Sequence, residues 1–111
     1  MRANSAMTIS YFDVVRNPME RGRDVRPYYV CVQHSHLDHL RTRVMAPLIV
    51  TAGLTQQNRL NPILDIENAK LFLDPTDLVT MEVRRLGKAV ANLASDSFRI
   101  ITALDLVFTG V

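Results

Sequence analysis

Apolar positions alternate along most of this chain and switch to a helical spacing near its end. The segment TISYFDVV (8–15) is rich in β-branched and aromatic residues and reads as a strand. RNPMERGRD interrupts it, with Pro18 and Gly22 as turn signals. RPYYVCVQ (26–33) is a second strand, and its two alternating faces are both largely apolar, which predicts a central position. The pair forms a hairpin with a long tip. HSHLDHLRT (34–42) is a polar connector, a loop or a short helical turn. RVMAPLIV (43–50) is a third strand in which Pro47 removes one ladder donor and predicts an edge or a bulge.

TAGLTQQNRLN (51–61) is loop. PILDI (62–66) and KLFLD (70–74) flank Glu67-Asn68-Ala69, and Leu64/Ile66 against Ile63/Asp65 gives a period of two, so a hairpin is expected. DPTDL (74–78) is a turn. The stretch 80–93 is ambiguous: its propensities favour helix, but Gly87 interrupts it, and Val79, Met81 and Val83 alternate like a strand. Residues 95–108 form a helix with Ser95 or Asp96 as N-cap. Phe98, Ile101, Leu104 and Phe108 share one stripe of it, with Ile100 and Val107 beside them. The expected class is α+β and mainly β: a curled antiparallel sheet followed by a long C-terminal helix.

The totals refine this picture little. The 111 residues are the size of one domain, with 1–7 reading as a flexible extension and Met7 as an alternative start. The N-terminus lacks the apolar core of a signal peptide. The longest apolar run, near VMAPLIVTAGL, holds a proline and falls short of the ~20 residues of a membrane span. The lone Cys31 excludes an intramolecular disulfide and suits a cytoplasmic, reducing compartment. Net charge is +2, too balanced to imply nucleic acid without clustering. The local excess is the tip, where Arg16, Arg21, Arg23 and Arg26 face Glu20 and Asp24, and it reads as a solvated loop.

Candidate chemistry is sparse. His34, His36 and His39 with Asp38 have the composition of a metal cluster. Helical spacing turns His34 and His36 about 200° apart, strand spacing separates His39, and no distant ligand completes a tetrahedron. Neither a metal nor a cofactor is expected. Cys31, flanked by Val30 and Val32, reads as a core thiol rather than a nucleophile. No nucleophile elbow, phosphate-binding glycine loop or carboxylate pair is visible, so an enzyme is not expected.

The end of the chain, ALDLVFTGV, is the informative part. A helix packed on its own sheet needs one apolar face, whereas Leu106 and Val107 widen the surface that Leu104, Phe108 and Val111 already supply. A helix apolar on more than one side is covered on more than one side. A second copy in a two-fold interface is the simplest cover, with Ile101, Leu104 and Phe108 as the interface residues.

The order FDV (12–14), YYVCVQ (28–33), VMAPL (44–48), PILDIENAKLFLD, LG (86–87), NL (92–93) and ALDLVFTGV resembles the CcdB family, toxins of type II toxin–antitoxin modules. The resemblance covers nearly all of residues 8–111. It implies an SH3-like curled sheet with a small extra sheet and a long C-terminal helix, in a homodimer built around those helices. It further implies a poison of the A subunit of DNA gyrase, which traps the cleaved DNA complex. A CcdA-like antitoxin would neutralise it, and DNA would be met only indirectly, when toxin and antitoxin together repress their operon. Thr109, Gly110 and Val111 would be the gyrase-binding residues. The best-known members end in tryptophan-glycine-isoleucine, and that tryptophan stacks on a gyrase arginine; Thr109 departs from the pattern and has no aromatic face. Two alternatives stay open. One is a homologue that dimerises and binds antitoxin without poisoning gyrase. The other is a MazF-like endoribonuclease using Arg16, Arg21 or Arg23 with Thr42 or Thr55.

Overall fold

The computed structural model of the chain describes residues 8–53 and 58–111. Among the described residues seven strands form one antiparallel sheet: β1 (Asp13–Arg16), β2 (Tyr28–Cys31), β3 (Thr42–Val50), β4 (Ile63–Ile66), β5 (Ala69–Leu73), β6 (Val79–Glu82) and β7 (Ala91–Asn92). One helix, α1 (Ser97–Phe108), closes the chain. The strand order is β4-β5-β3-β2-β1-β7, with β6 branching off β3. The sheet curls into a nearly closed, SH3-like barrel with the C-terminal helix packed on it. The β4–β5 hairpin extends this same sheet through β3 instead of forming the separate small sheet that the resemblance implied.

The first strand is shorter than its composition suggests. Phe12 has φ of +70°, a left-handed conformation that ends the extended run. Ahead of it the chain turns: the Asp13 N–H donates to the Ser10 carbonyl at 3.0 Å, and the Ser10 N–H donates to Asp13 Oδ2 at 2.9 Å. Extended pairing therefore begins at Asp13, where Val14 meets Val30.

β3 is not an edge, which corrects the reading of Pro47. One side of the strand pairs with β2 along residues 45–48. The other side pairs first with β6, through residues 42–45, and then with β5, through residues 48–50. Pro47 sits where the partner changes. Its carbonyl faces that side and accepts from the Asp74 N–H at 3.1 Å, so the missing donor falls at the seam between two partners. A proline is tolerated in a central strand only at such a break.

The hairpin from β4 to β5 forms as the alternation predicts. Glu67 and Asn68 turn it with φ of +48° and +70°, the backbone signature of a two-residue type I′ turn. Leu64 and Ile66 point inward and Asp65 outward. The ambiguous stretch resolves as β6, a 3-10 turn at Val83–Arg85 and the two-residue β7. Val79 and Met81 face in as a strand's period requires.

Both faces of β2 are buried, and this makes two cores. Val14, Val30, Ala46 and Leu48 share one side with Leu64, Ile66, Leu71, Leu73, Ile100 and Ala103. Val15, Tyr29, Cys31 and Met45 share the other with Ile9, and Val79, Met81 and Leu86 cover them. Helix α1 thus caps the first core, and β6 with the N-terminal segment caps the second. A 3-10 turn at Ala94–Asp96 leads into α1. Asp96 takes the N-cap position, but its carboxylate accepts from Arg99 Nη1 at 3.0 Å instead of from a backbone N–H. Arg99 also donates through Nη2 to the Ile63 carbonyl, tying the helix start to β4.

The interior also holds a charge that composition did not announce. Arg43 is fully buried. Its guanidinium donates to four carbonyl oxygens, those of Ile9 (2.7 Å), Leu40 (2.8 Å), Thr42 (2.9 Å) and Asp38 (3.0 Å). It therefore ties the N-terminal segment, the histidine-bearing connector and β3 together.

Candidate interaction surface at the C-terminal helix

Helix α1 buries Ile100 and Ala103 and rests Leu104 against the first core. Its apolar surface does not stop there. Phe98 is 81 % exposed, Ile101 38 % and Phe108 68 %. At 100° per residue these three project from an arc that starts beside Leu104 and turns away from the sheet. The stripe of Phe98, Ile101 and Phe108 is thus the open side of the helix, and Ile100 with Ala103 is the closed side. Leu104 lies on the border, half-buried. Asp105 interrupts the open arc and lies near Tyr11. Burial raises the Tyr11 hydroxyl above its ordinary pKa, with the Cys31 thiol and the Asp105 carboxylate adding to the rise.

The tail beyond the helix is held in a tight turn. The N–H groups of Thr109 and Gly110 both donate to the Asp105 carbonyl, at 2.7 and 3.1 Å. The Thr109 hydroxyl donates to the same oxygen at 2.8 Å, and the Val111 N–H reaches that hydroxyl at 3.4 Å. Gly110 adopts φ of +80°, the left-handed conformation in which glycine terminates helices. Val111 is 79 % exposed. Thr109 therefore spends its hydroxyl on the helix end, while Gly110 and Val111, though tied back by their N–H groups, are exposed.

The other candidate residues are scattered. His34 and His36 do meet, with ring centroids 4.4 Å apart. His34 precedes the 3-10 turn Ser35–Leu37 and is not part of it, so a purely helical projection misplaces it. Its Nδ1 accepts the His36 N–H at 3.0 Å. Among the described residues no group of three His, Cys, Asp or Glu side chains is arranged to hold a metal ion. Cys31 is buried among the second core, and burial raises its thiol pKa.

For the ribonuclease alternative, Arg16 aligns with Tyr28 and hence with Leu48 of β3. Thr42 lies six residues away on that strand, about 20 Å at the usual rise. Arg23 is engaged with the Asn17 carbonyl at 2.7 Å. Thr55 lies outside the described residues, as do 1–7.

A helix with a second apolar face, ending in a glycine-aliphatic tail on a curled antiparallel sheet, matches the family suggested by the sequence order. The model of the CcdB protein family matches residues 11–110. The chain belongs to the CcdB family. Members of that family are toxins of toxin–antitoxin modules. No curated protein sequence matches the chain. The family match spans the strands, the helix, Thr109 and Gly110, so the open helix face lies within the family's shared region and Val111 lies just beyond the match. No helix among the described residues is long and apolar enough to cross a membrane.

Two features were not fully legible in the sequence. Phe98 shares a stripe with Ile101, Leu104 and Phe108, but only the burial of Ile100 and Ala103 shows that this stripe is the open side. Arg43 sits inside a strand pattern, where an arginine is normally assigned to the solvent side; its sole sequence signal was its place among RVMAPLIV.

Proposed function

We propose that this CcdB-family chain acts as a homodimeric toxin that binds the A subunit of DNA gyrase and traps its cleaved DNA complex. A CcdA-like antitoxin restrains it, and the chain meets DNA only through that complex. It performs no chemistry itself. The observation that carries the reading is the open apolar arc of α1, with Val111 also exposed at the end of the chain. Three large apolar side chains left in water on one helix mark an interaction surface. A second copy facing the same arc buries Ile101 and Phe108 across a two-fold axis, with Leu104 at its margin. The two tails, Thr109, Gly110 and Val111, then emerge side by side and reach gyrase together.

Thr109 favours a second reading, a homologue that dimerises and binds antitoxin without poisoning gyrase. Stacking on an arginine requires an aromatic face, and the threonine hydroxyl is turned back onto Asp105. Loss of an aromatic hot spot commonly costs about 2 kcal/mol or more. Phe108, the nearest aromatic ring, belongs to the arc that a second copy covers and does not replace it; membership of the family keeps the first reading ahead. The span of β3 between Arg16 and Thr42 weighs against a MazF-like ribonuclease.

Expression of the chain without antitoxin in a bacterial host, followed by recovery of gyrase–DNA complexes, tests the proposal. Growth arrest with covalently trapped, cleaved DNA is expected. Normal growth with folded protein present rejects gyrase poisoning. If Thr109→Trp then confers toxicity, the second reading holds. Cleavage of single-stranded RNA by the purified chain overturns both.

A further inference from the structure

The tail after α1 follows a fixed path without being packed into one. Phe108 ends the helix, and Thr109, Gly110 and Val111 are all exposed. A Cβ placed on Gly110 would meet no described atom within 4 Å outside its chain neighbours. Close packing therefore does not impose the φ of +80° found there. Hydrogen bonds are what remain to set it.

Those bonds converge on one acceptor. The Asp105 carbonyl takes the Thr109 N–H at 2.7 Å, which continues the helical ladder, and the Gly110 N–H at 3.1 Å, one residue wider. It also takes the Thr109 hydroxyl at 2.8 Å, the back-bond that a threonine makes to the carbonyl one turn earlier. The same Oγ1 then accepts the Val111 N–H at 3.4 Å. One hydroxyl thus bridges Asp105 and Val111, donating on one side and accepting on the other. Valine has nearly the same shape and offers neither function. An indole has a single donor and no acceptor, so a tryptophan at this position could not make the bridge.

We infer that Thr109 is a positioning residue: its hydroxyl, not the outward surface of its side chain, serves the binding of a protein target by holding Gly110 and Val111 in the path in which they are presented. The inference rests on the reading in which residues 109–111 engage the gyrase A subunit. A loose extension loses backbone freedom when a partner fixes it, and a segment held in place beforehand has less to lose. Val111, 79 % exposed, is then an apolar contact offered in one direction. Where an aromatic residue would add a contact of its own, this threonine supplies order.

Two substitutions separate the hydroxyl from the surface. Thr109→Val keeps the shape and removes the bridge, whereas Thr109→Ser keeps the bridge and removes the methyl group. Both are compared with the wild type by heteronuclear relaxation of the backbone amides and by calorimetric titration of the full chain with the gyrase A subunit. The wild type is expected to bind, with the Gly110 and Val111 amides as ordered as those of α1. Thr109→Val leaves the α1 amides as they are, loosens those of Gly110 and Val111, and weakens binding about three- to tenfold, in keeping with one lost hydrogen bond. Thr109→Ser restores both readouts. Wild-type binding by Thr109→Val, a tail still ordered in that variant, or failure of serine to restore binding overturns the inference and leaves the gyrase reading standing. A change spread through the α1 amides of Thr109→Val makes the hydroxyl a helix-stabilising group only, and also overturns it. A wild type that does not bind the gyrase A subunit rejects that reading and the inference with it.

Discussion

Replacing Arg43 by methionine isolates the buried cation from its surroundings. The side chain has no solvent exposure, and its guanidinium is the donor for the carbonyls of Ile9, Leu40, Thr42 and Asp38. Methionine fills most of the volume but donates nothing. The Thr42 carbonyl keeps the Gln33 amide as donor at 3.0 Å, but those of Ile9, Leu40 and Asp38 then depend on whatever water can reach them, and buried acceptors without donors are expensive. Individual terms are not additive, and removing one member of a buried ionic network costs about 3–5 kcal/mol as a whole. For a domain of this size about 4 °C of melting temperature corresponds to each kcal/mol, so Arg43→Met lowers the midpoint by roughly 12–20 °C. The carboxylate partner matters less. Asp38 Oδ1 lies 3.8 Å from Arg43 Nε, within ion-pair reach but without a hydrogen bond, and the Asp38 side chain is about one-third exposed. Asp38→Asn accordingly costs less than about 1 kcal/mol. Urea and thermal unfolding of both variants, followed by circular dichroism, measure the contrast. A loss below about 1 kcal/mol for Arg43→Met, or an equal loss for Asp38→Asn, refutes the assignment of the carbonyl cage as the stabilising element.

Further outcomes follow from the same packing. Ile100→Ala, on the closed side of α1, destabilises by about 2–4 kcal/mol, whereas Phe98→Ser in dilute monomer changes unfolding by less than about 0.5 kcal/mol; denaturant titration of the pair reads the orientation of the helix directly. Burial keeps the Cys31 thiol protonated in the fold, so its contribution to stability is complete below the ordinary thiol value of 9.0 and falls as pH rises through and above it. Urea midpoints at successive pH values above neutrality show this decline. It is shallower in Cys31→Ala, and an unchanged slope in that variant rejects the buried-thiol account.

The alternation of residues 28–33, 43–50 and 62–74 was enough to place the central strands, the β4–β5 hairpin and the core, because a sheet buried on both faces leaves few polar positions to confuse the pattern. The errors arise where local chemistry overrides propensity. Asp13 and Ser10 close a turn that composition alone reads as strand, and Phe12 takes a left-handed conformation that aromatic residues rarely adopt. Pro47 was read correctly as a missing donor and wrongly as an edge, since a switch of neighbours from β6 to β5 is a long-range event. On the helix, the 3.6-residue period showed that more than one face is apolar. It did not show which face meets the sheet, because Phe98 and Ile100 are equally apolar, and only the burial of Ile100 in the first core decides between them. The tail was legible as Gly110-Val111, but the turning of the Thr109 hydroxyl onto Asp105 depends on geometry beyond the helix end.

The proposal rests on the open arc of Phe98, Ile101 and Phe108 being covered by a second copy of the chain. Light scattering coupled to gel filtration at micromolar concentration, on the wild type and on Ile101→Glu, tests this most directly. The account predicts a wild-type particle of about 25 kDa, twice the 12.6 kDa of one chain, and a folded Ile101→Glu monomer. A wild type that elutes as a folded 12.6 kDa particle contradicts it.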